Sequence, residues 1–325
     1  MHACPVEAIV LDAATGAKEV LEAVCVGGNV CTIACGRILT VENKPQYWGN
    51  SGGLEYEAAW ALGSDTGVDD LDALTYANFL CNEDGFDPIS FGSTVVAAME
   101  LYEMGVITKD DTGGIDMKFG SAEALAKAAE ATARGEGFGK VPGLGSRRLC
   151  EKYGHPRLSM TVKSQEFPAY DPRGIQGMGL AYATSNRGAC HLRGYTVASQ
   201  VLGILEKTDP LATEGKAELV KAFQDATAAV GSSGLCLFTT FAWTLGDIAP
   251  QIDAACEGGW SGDKLLEVRE RIWNLERDFN RSVGLSGKDD TLPKRLLKEA
   301  ANTAPAKGNV NDLDVMLPKY YEIRG

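Results

Sequence analysis

Between residues 69 and 281 the chain keeps returning to one pattern, a capping residue followed by apolar side chains three or four positions apart. That spacing lines apolar groups along one helix face, which is stable only when packed against another element. Asp69 and Asp72 bracket a helix start ahead of Leu71, Leu74 and Cys81. Ser93 or Thr94 opens a helix carrying Val95, Met99 and Tyr102 and ending at Gly105. Ser121 precedes the run AEALAKAAEATAR, which stops at Gly135, and a helix from about Thr213 carries Leu219, Val220 and Phe223. From Lys264 to Arg281, an apolar stripe of Val268, Ile272, Leu275 and Phe279 lies opposite Glu and Arg. Strand signals are few, VCVGGNV and GRILTV being short candidates near the N-terminus. The fold class is therefore mainly α. The stretch Gly135 to Gly145 reads as a loop. The tail from Thr303 reads as irregular, with Leu313, Met316, Leu317, Tyr320 and Tyr321 available to dock it.

A chain of 325 residues suggests two domains, and 45% hydrophobic content lets each bury a core. The change is placed near residue 160, giving helical domains 1–160 and 161–325. A net charge of −13 repels phosphate backbones and anionic lipid, so neither nucleic acid nor a membrane is expected as partner. No run approaches the roughly 20 apolar residues of a membrane span, and MHACPVEAIV has no secretory pattern. Nine cysteines, an odd number in a large chain, argue against a disulfide framework. The expected location is cytoplasmic, with reduced thiols serving as core filler, metal ligands or nucleophiles.

Three segments carry candidate chemistry. Cys31-Thr-Ile-Ala-Cys35 can present two thiolates to an iron–sulfur cluster, which usually takes four cysteines, or can simply hold two buried thiols. The run from Phe167 to Tyr195 is dense in Gly, Arg, Tyr and Asp and contains His191. Its Gly177-x-Gly179 is not a dinucleotide loop, because Tyr182 stands where a third glycine belongs and no strand precedes it. Arg173, Arg187 and Arg193 could instead approach a phosphate, or pair with carboxylates. Gly234-Leu235-Cys236 alone is a buried cysteine before an apolar segment.

Together these segments resemble the aldehyde:ferredoxin oxidoreductase family. The resemblance rests on Tyr170 to His191, Glu55-Tyr56-Glu57, Asn78 to Ser90, Gly234-Leu235-Cys236, Leu313-Asp-Val-Met316 and Tyr320-Tyr-x-x-Arg324-Gly325. It covers about residues 20–325 and implies two helical domains, the second and third of the family, with its N-terminal β-rich pterin saddle absent. It implies a tungsten (or molybdenum) bis-pterin centre beside a 4Fe-4S cluster. The activity implied is oxidation of small aldehydes to carboxylic acids, with electrons passing to ferredoxin or an iron–sulfur subunit, and the resemblance is compatible with an oligomer.

Carried over by residue, the resemblance makes Cys31, Cys35 and Cys236 cluster ligands, with Gly28 where a further cysteine is expected. The pterin segments fall on Asn82 to Asp87 and Gly231 to Cys236. They imply cofactor contacts at Asn82, Gly85, Asp87 and Leu235, with Arg187 as a further one. Gly231 stands where an Asp is expected, so a carboxylate is lost there. Glu57 (in preference to Glu55), Tyr170 and His191 are the implied catalytic groups: a donor polarises the carbonyl, and a buried carboxylate of raised pKa takes a proton from water. Two other functions are compatible with the scaffold, reduction of aromatic-ring thioesters and a cofactor-free helical module.

Overall fold

The computed structural model describes residues 9–11, 18–20, 35–204 and 206–325. The strand candidate at 24–30 lies outside these, as do Cys25, Gly28 and Cys31. The described chain is mainly helical. Its strands form three antiparallel hairpins: β1 (Ile9–Leu11) with β2 (Lys18–Val20), β3 (Ile38–Val41) with β4 (Gly49–Gly52), and β5 (Thr161–Val162) with β6 (Gln165–Glu166). No described helix is long and apolar enough to cross a membrane.

After β4, helix α1 (Tyr56–Ala59) runs directly into a π-helical turn, Trp60–Ser64. Helix α2 (Leu71–Asp84) is capped by Asp70, which accepts the Asp72 and Ala73 N–H groups, rather than by the Asp69–Asp72 pair. Gly85 closes it in the left-handed conformation at φ +73°. Helix α3 (Pro88–Glu103) starts several residues before Ser93: Asp87 accepts the Ser90 N–H at 2.8 Å, and Pro88 supplies the fixed φ of a first helical position. Ser93 and Thr94 therefore lie inside the helix. Gly92 lets α3 touch the π turn, since a Cβ there would stand 2.5 Å from the Ala61 carbonyl oxygen. Helix α4 (Ala122–Arg134) begins at Ser121 and ends at left-handed Gly135, as its sequence implies. The glycine-rich stretch beyond folds into two 3-10 turns that feed α5 (Ser146–Lys152). Leu62, Val95, Met99, Leu125 and Leu149 are fully buried in the core these elements share, which runs from Leu54 to Leu158.

A second core runs from Val162 to Tyr320. At its centre is α6 (Gln176–Thr184), buried along its whole length. A Cβ on Gly179 would fall 2.0 Å from Asn311 Nδ2, and one on Gly177 2.4 Å from Gln200 Oε1. These glycines serve close packing. The short α7 (Val197–Gln200) precedes α8 (Lys216–Ser232), whose end joins α9 (Leu245–Ala255) and α10 (Gly262–Ser282) in a third cluster of Val230, Ile248, Ala249 and Leu265. On α10 the expected stripe is not the buried face. Trp273 and Leu265 are buried, while Leu275 is 70% and Phe279 68% exposed. Polar contacts set this rotation: Asn186 donates to the Trp273 carbonyl, Asn280 donates to the Asn186 carbonyl, and Arg277 grips Asp290.

Helix α11 (Lys294–Lys298) follows, and the tail is not irregular but forms α12 (Leu313–Arg324), docked by Leu313, Met316 and Tyr320. Behind this second core lies a buried charge cluster. The Lys163 ammonium donates to the carbonyls of Ala183 and Ser185 at the C-terminal end of α6, and sits 2.9 Å from Asp290. Asp290 also accepts from Arg277 and Tyr321.

Candidate active site

Glu55 and Glu57 sit two positions apart at the start of α1 and meet different surroundings. Glu55 faces solvent, 3.6 Å from Arg37. Glu57 turns inward and is 8% exposed. Its Oε2 accepts the Ala169 N–H at 2.8 Å, while its Oε1 is buried with no hydrogen-bond partner. That orphan oxygen lies 4.0 Å from His191 Nε2, too far for a hydrogen bond. Burial raises the Glu57 pKa, and the Ala169 hydrogen bond and the nearby Tyr170 hydroxyl only partly offset it.

His191 is pulled the other way. Burial, and then the nearby Arg187 charge, lower its pKa to about 4, with Asp87 opposing. The imidazole is thus neutral near pH 7, and the two groups are not an ion pair despite their separation. Against an ordinary value of 6.5, the stability tied to neutral His191 is present above that pH and lost as pH falls towards 4. The loss is on the order of 3 kcal/mol. Denaturant unfolding between pH 7 and pH 4 should show a shallower fall for H191N than for the wild type; equal slopes would contradict the assignment.

Tyr170 completes the group. Its ring is 5.9 Å from His191 and stacks at 6.0 Å on Tyr56. Its hydroxyl is 3.0 Å from that of Tyr195. Burial, and then Tyr195, push the Tyr170 pKa well up, so the phenol keeps its proton. The aromatic run continues from Tyr195 to Phe241 at 6.4 Å and on to Phe238 at 5.9 Å, two residues from Cys236. Fully buried Tyr182 braces the group from behind, its ring edge-on to Phe167 and its hydroxyl donating to the Tyr170 carbonyl at 3.3 Å. Sequence reasoning gives no separate reason to select Tyr195; its place at the end of the Phe167–Tyr195 run is the only signal.

The remaining candidates divide. Arg187 is exposed, forms no ion pair among the described residues, and acts on His191 through its charge. Arg173 is instead forked onto Asp171. Asp87 is exposed, and with Oδ1 engaged by Ser90 its other oxygen remains open. Asn82 donates its amide to the Gly52 carbonyl at 3.1 Å, and Gly85 has open space beside it. Leu235 packs on the third cluster. At Gly231, where the resemblance expects Asp, a Cβ would meet Arg193 Nη1 at 3.6 Å. Cys35 and Cys236 carry free, exposed thiols. No three His, Cys, Asp or Glu residues among those described stand together as a metal site. The geometry brings together Glu57, Tyr170 and His191, with Asp87 and Arg187 within electrostatic reach; no described contact ties Asn82, Gly85 or Leu235 to that trio.

A family profile described as "Aldehyde ferredoxin oxidoreductase, domains 2 & 3" matches residues 10–325. The chain is 46% identical over 298 residues to a tungsten-containing aldehyde ferredoxin oxidoreductase of Pyrococcus furiosus, and 45% identical to one of Thermococcus kodakarensis. Each alignment covers 91% of this chain and 49% of the relative, so the chain spans about half the length of these relatives. In fold it is similar to the active-site complex BamBC of benzoyl coenzyme A reductase bound to 1,5-dienoyl-CoA. The TM-score is 0.69 at 14% identity, covering 90% of this chain and 48% of that one.

Proposed function

The chain belongs to the aldehyde ferredoxin oxidoreductase family, and from that premise we propose that its Glu57–Tyr170–His191 site oxidises aldehydes to carboxylic acids. One observation carries this reading: a buried carboxylate oxygen without a partner, facing a neutral imidazole across 4.0 Å. An unpaired buried acceptor is costly and rare in folded proteins, and a catalytic role is one reason for keeping it. Here that role is to take a proton from the water that adds to the carbonyl carbon. The raised Glu57 pKa makes it a stronger base than an exposed carboxylate. His191, uncharged, can donate a hydrogen bond to the carbonyl oxygen as negative charge grows there. Tyr170, with Tyr56 stacked on its ring, walls one side of the site.

Some of the described residues support a place for the family's cofactors, although no three of them stand together as a metal site. Asp87 offers a free carboxylate oxygen at the site's edge, Gly85 leaves open space, and Cys35 and Cys236 present exposed thiols. Asp87, Gly85, Asn82, Arg187 and Leu235 would hold the pterins, and Cys31, Cys35 and Cys236 the 4Fe-4S cluster. When bound, tungsten or molybdenum in its bis-pterin supplies the two-electron acceptor, and the cluster the way out to ferredoxin or an iron–sulfur subunit. The two large cores are read as two domains meeting near residue 160.

The test is aldehyde-dependent reduction of a viologen dye by the anaerobically purified protein, with the carboxylic acid identified as product. Absence of turnover with both short and aromatic aldehydes would sink the reading. C236S is expected to lose most of the bound iron; unchanged iron would remove Cys236 from the ligand set. A second reading, reduction of aromatic-ring thioesters, is favoured by the ring wall Tyr170–Tyr195–Phe241–Phe238. Turnover of an aryl thioester without aldehyde oxidation would select it.

A further inference from the structure

A cavity of about 190 Å³ opens where the first and second cores meet. The first core contributes Trp60 from the π turn, Asp65 from its end, and Ser93 and Glu100 from α3. The second contributes residues 167–172 and Arg295 of α11. The Asp65 N–H donates to the Trp60 carbonyl at 3.0 Å, so the wide π turn brings both residues to the cavity. Glu57, Tyr56, His191 and Tyr195 do not line it. It is a separate space from the candidate active site, with which it shares Ala169 and Tyr170.

Four charged side chains line the cavity: Asp65, Glu100, Asp171 and Arg295. Arg295 grips Glu100 through both terminal nitrogens, at 2.6 and 3.3 Å, and Arg173 forks onto Asp171. The Asp65 carboxylate is left over. It is half-buried, and it makes no hydrogen bond or ion pair among the described residues. Burial alone raises its pKa, to about 6, so it is still charged at neutral pH. A desolvated carboxylate without a counter-charge is costly. Much of the remaining wall is apolar, including Val96, Leu158, Met160, Phe167 and Leu296. One free carboxylate among apolar walls suits an ion with a single charged head and an alkyl body. A metal would need several oxygen or nitrogen ligands. The volume is below the roughly 300–1,000 Å³ of a pocket for a drug-sized ligand, so the ion is small.

We propose that this cavity binds a small primary alkylammonium ion, its head on Asp65 beside the Trp60 indole and its chain against the apolar wall. The ammonium has three N–H donors for the carboxylate, and an indole is the best aromatic partner for a cation. Occupancy reaches the candidate active site through the shared wall, because the Ala169 N–H holds Glu57 at 2.8 Å. A ligand packed on residues 167–172 makes local opening of that hydrogen bond rarer. The charged neighbours do not compete for the head, since Glu100 and Asp171 already hold their arginines. The Tyr170 phenol, its pKa pushed up by burial, keeps its proton.

The test is calorimetric titration of butylammonium into the purified protein, with neutral 1-butanol as the comparison, in wild type and D65N, above and below pH 6. Above that pH the wild type should bind butylammonium saturably, and roughly tenfold or more tighter than 1-butanol. The advantage should shrink as pH falls through the Asp65 pKa, where the carboxylate takes up a proton, and should be absent in D65N at every pH. Hydrogen exchange at the Ala169 amide should slow with butylammonium in the wild type and not in D65N. No saturable binding, equal affinity for 1-butanol, or a D65N protein that keeps the advantage would overturn the site. Unchanged Ala169 exchange at saturation would overturn its coupling to Glu57. Should D65N fail to fold, the pH dependence of the wild type decides alone. None of these readouts needs turnover, so a protein that does not oxidise aldehydes still tests the cavity.

Discussion

E57Q is expected to lower kcat by roughly 10²- to 10⁴-fold, the range for loss of a positioned general base. Gln keeps the shape of Glu57 and can still accept the Ala169 N–H, so the fold of α1 and the 167–170 segment should hold. What disappears is the ability of Oε1 to take a proton. The wild-type rate should fall as pH drops through the raised Glu57 pKa, above the usual carboxylate range, and this limb should vanish in E57Q. Stability moves the other way. A carboxyl of raised pKa contributes stability below its ordinary value and loses it as pH rises through the folded value. E57Q, which cannot ionise, should therefore be at least as stable as the wild type at neutral pH. A variant with unchanged kcat would remove Glu57 from the chemistry; one that unfolds would make its role structural.

The largest stability effect is expected at Asp290, far from that chemistry. Asp290 and Lys163 are almost wholly enclosed, with side-chain exposures of 0% and 3%. Burial pulls the Lys163 pKa down against the pull of Asp290. Burial would raise the Asp290 pKa, but Arg277 and Lys163 outweigh it and hold the carboxyl below its ordinary range. D290A strands a buried ammonium and frees Arg277 and Tyr321 together. Breaking a buried pair in this way costs about 3–5 kcal/mol, or a Tm fall of about 10 °C. The double variant K163M/D290L should recover part of this, because no charge is left unpaired. A D290A protein melting within a degree of the wild type would show that the cluster is not holding α6, α10 and α12 together.

Helix content was legible in the sequence where caps and period agree. Ser121 and Gly135 bound α4 as they stand. Elsewhere a stronger local signal won: Asp87-Pro88 starts α3 ahead of the serine and threonine that also resemble caps. The face of α10 was not legible, because its orientation depends on Asn186, Asn280 and Asp290, side chains far away in sequence. Pro318 hid α12 from a reading by period alone. In the candidate site, Glu57, Tyr170 and His191 stood in segments carrying the family resemblance. What those segments could not convey is that Glu57 keeps an unpaired oxygen, or that Tyr195 shares a hydrogen bond with Tyr170 across 25 positions. Both depend on how the 167–195 segment folds back against α1.

The most direct test is the metal content, by mass spectrometry, of the protein purified without oxygen. A tungsten enzyme of this family is expected to carry about four irons per 4Fe-4S cluster, with tungsten or molybdenum alongside and visible absorption from the cluster. Protein that binds neither iron nor tungsten nor molybdenum when all three are supplied during expression would leave family membership intact and contradict the claim that this chain builds the oxidising site.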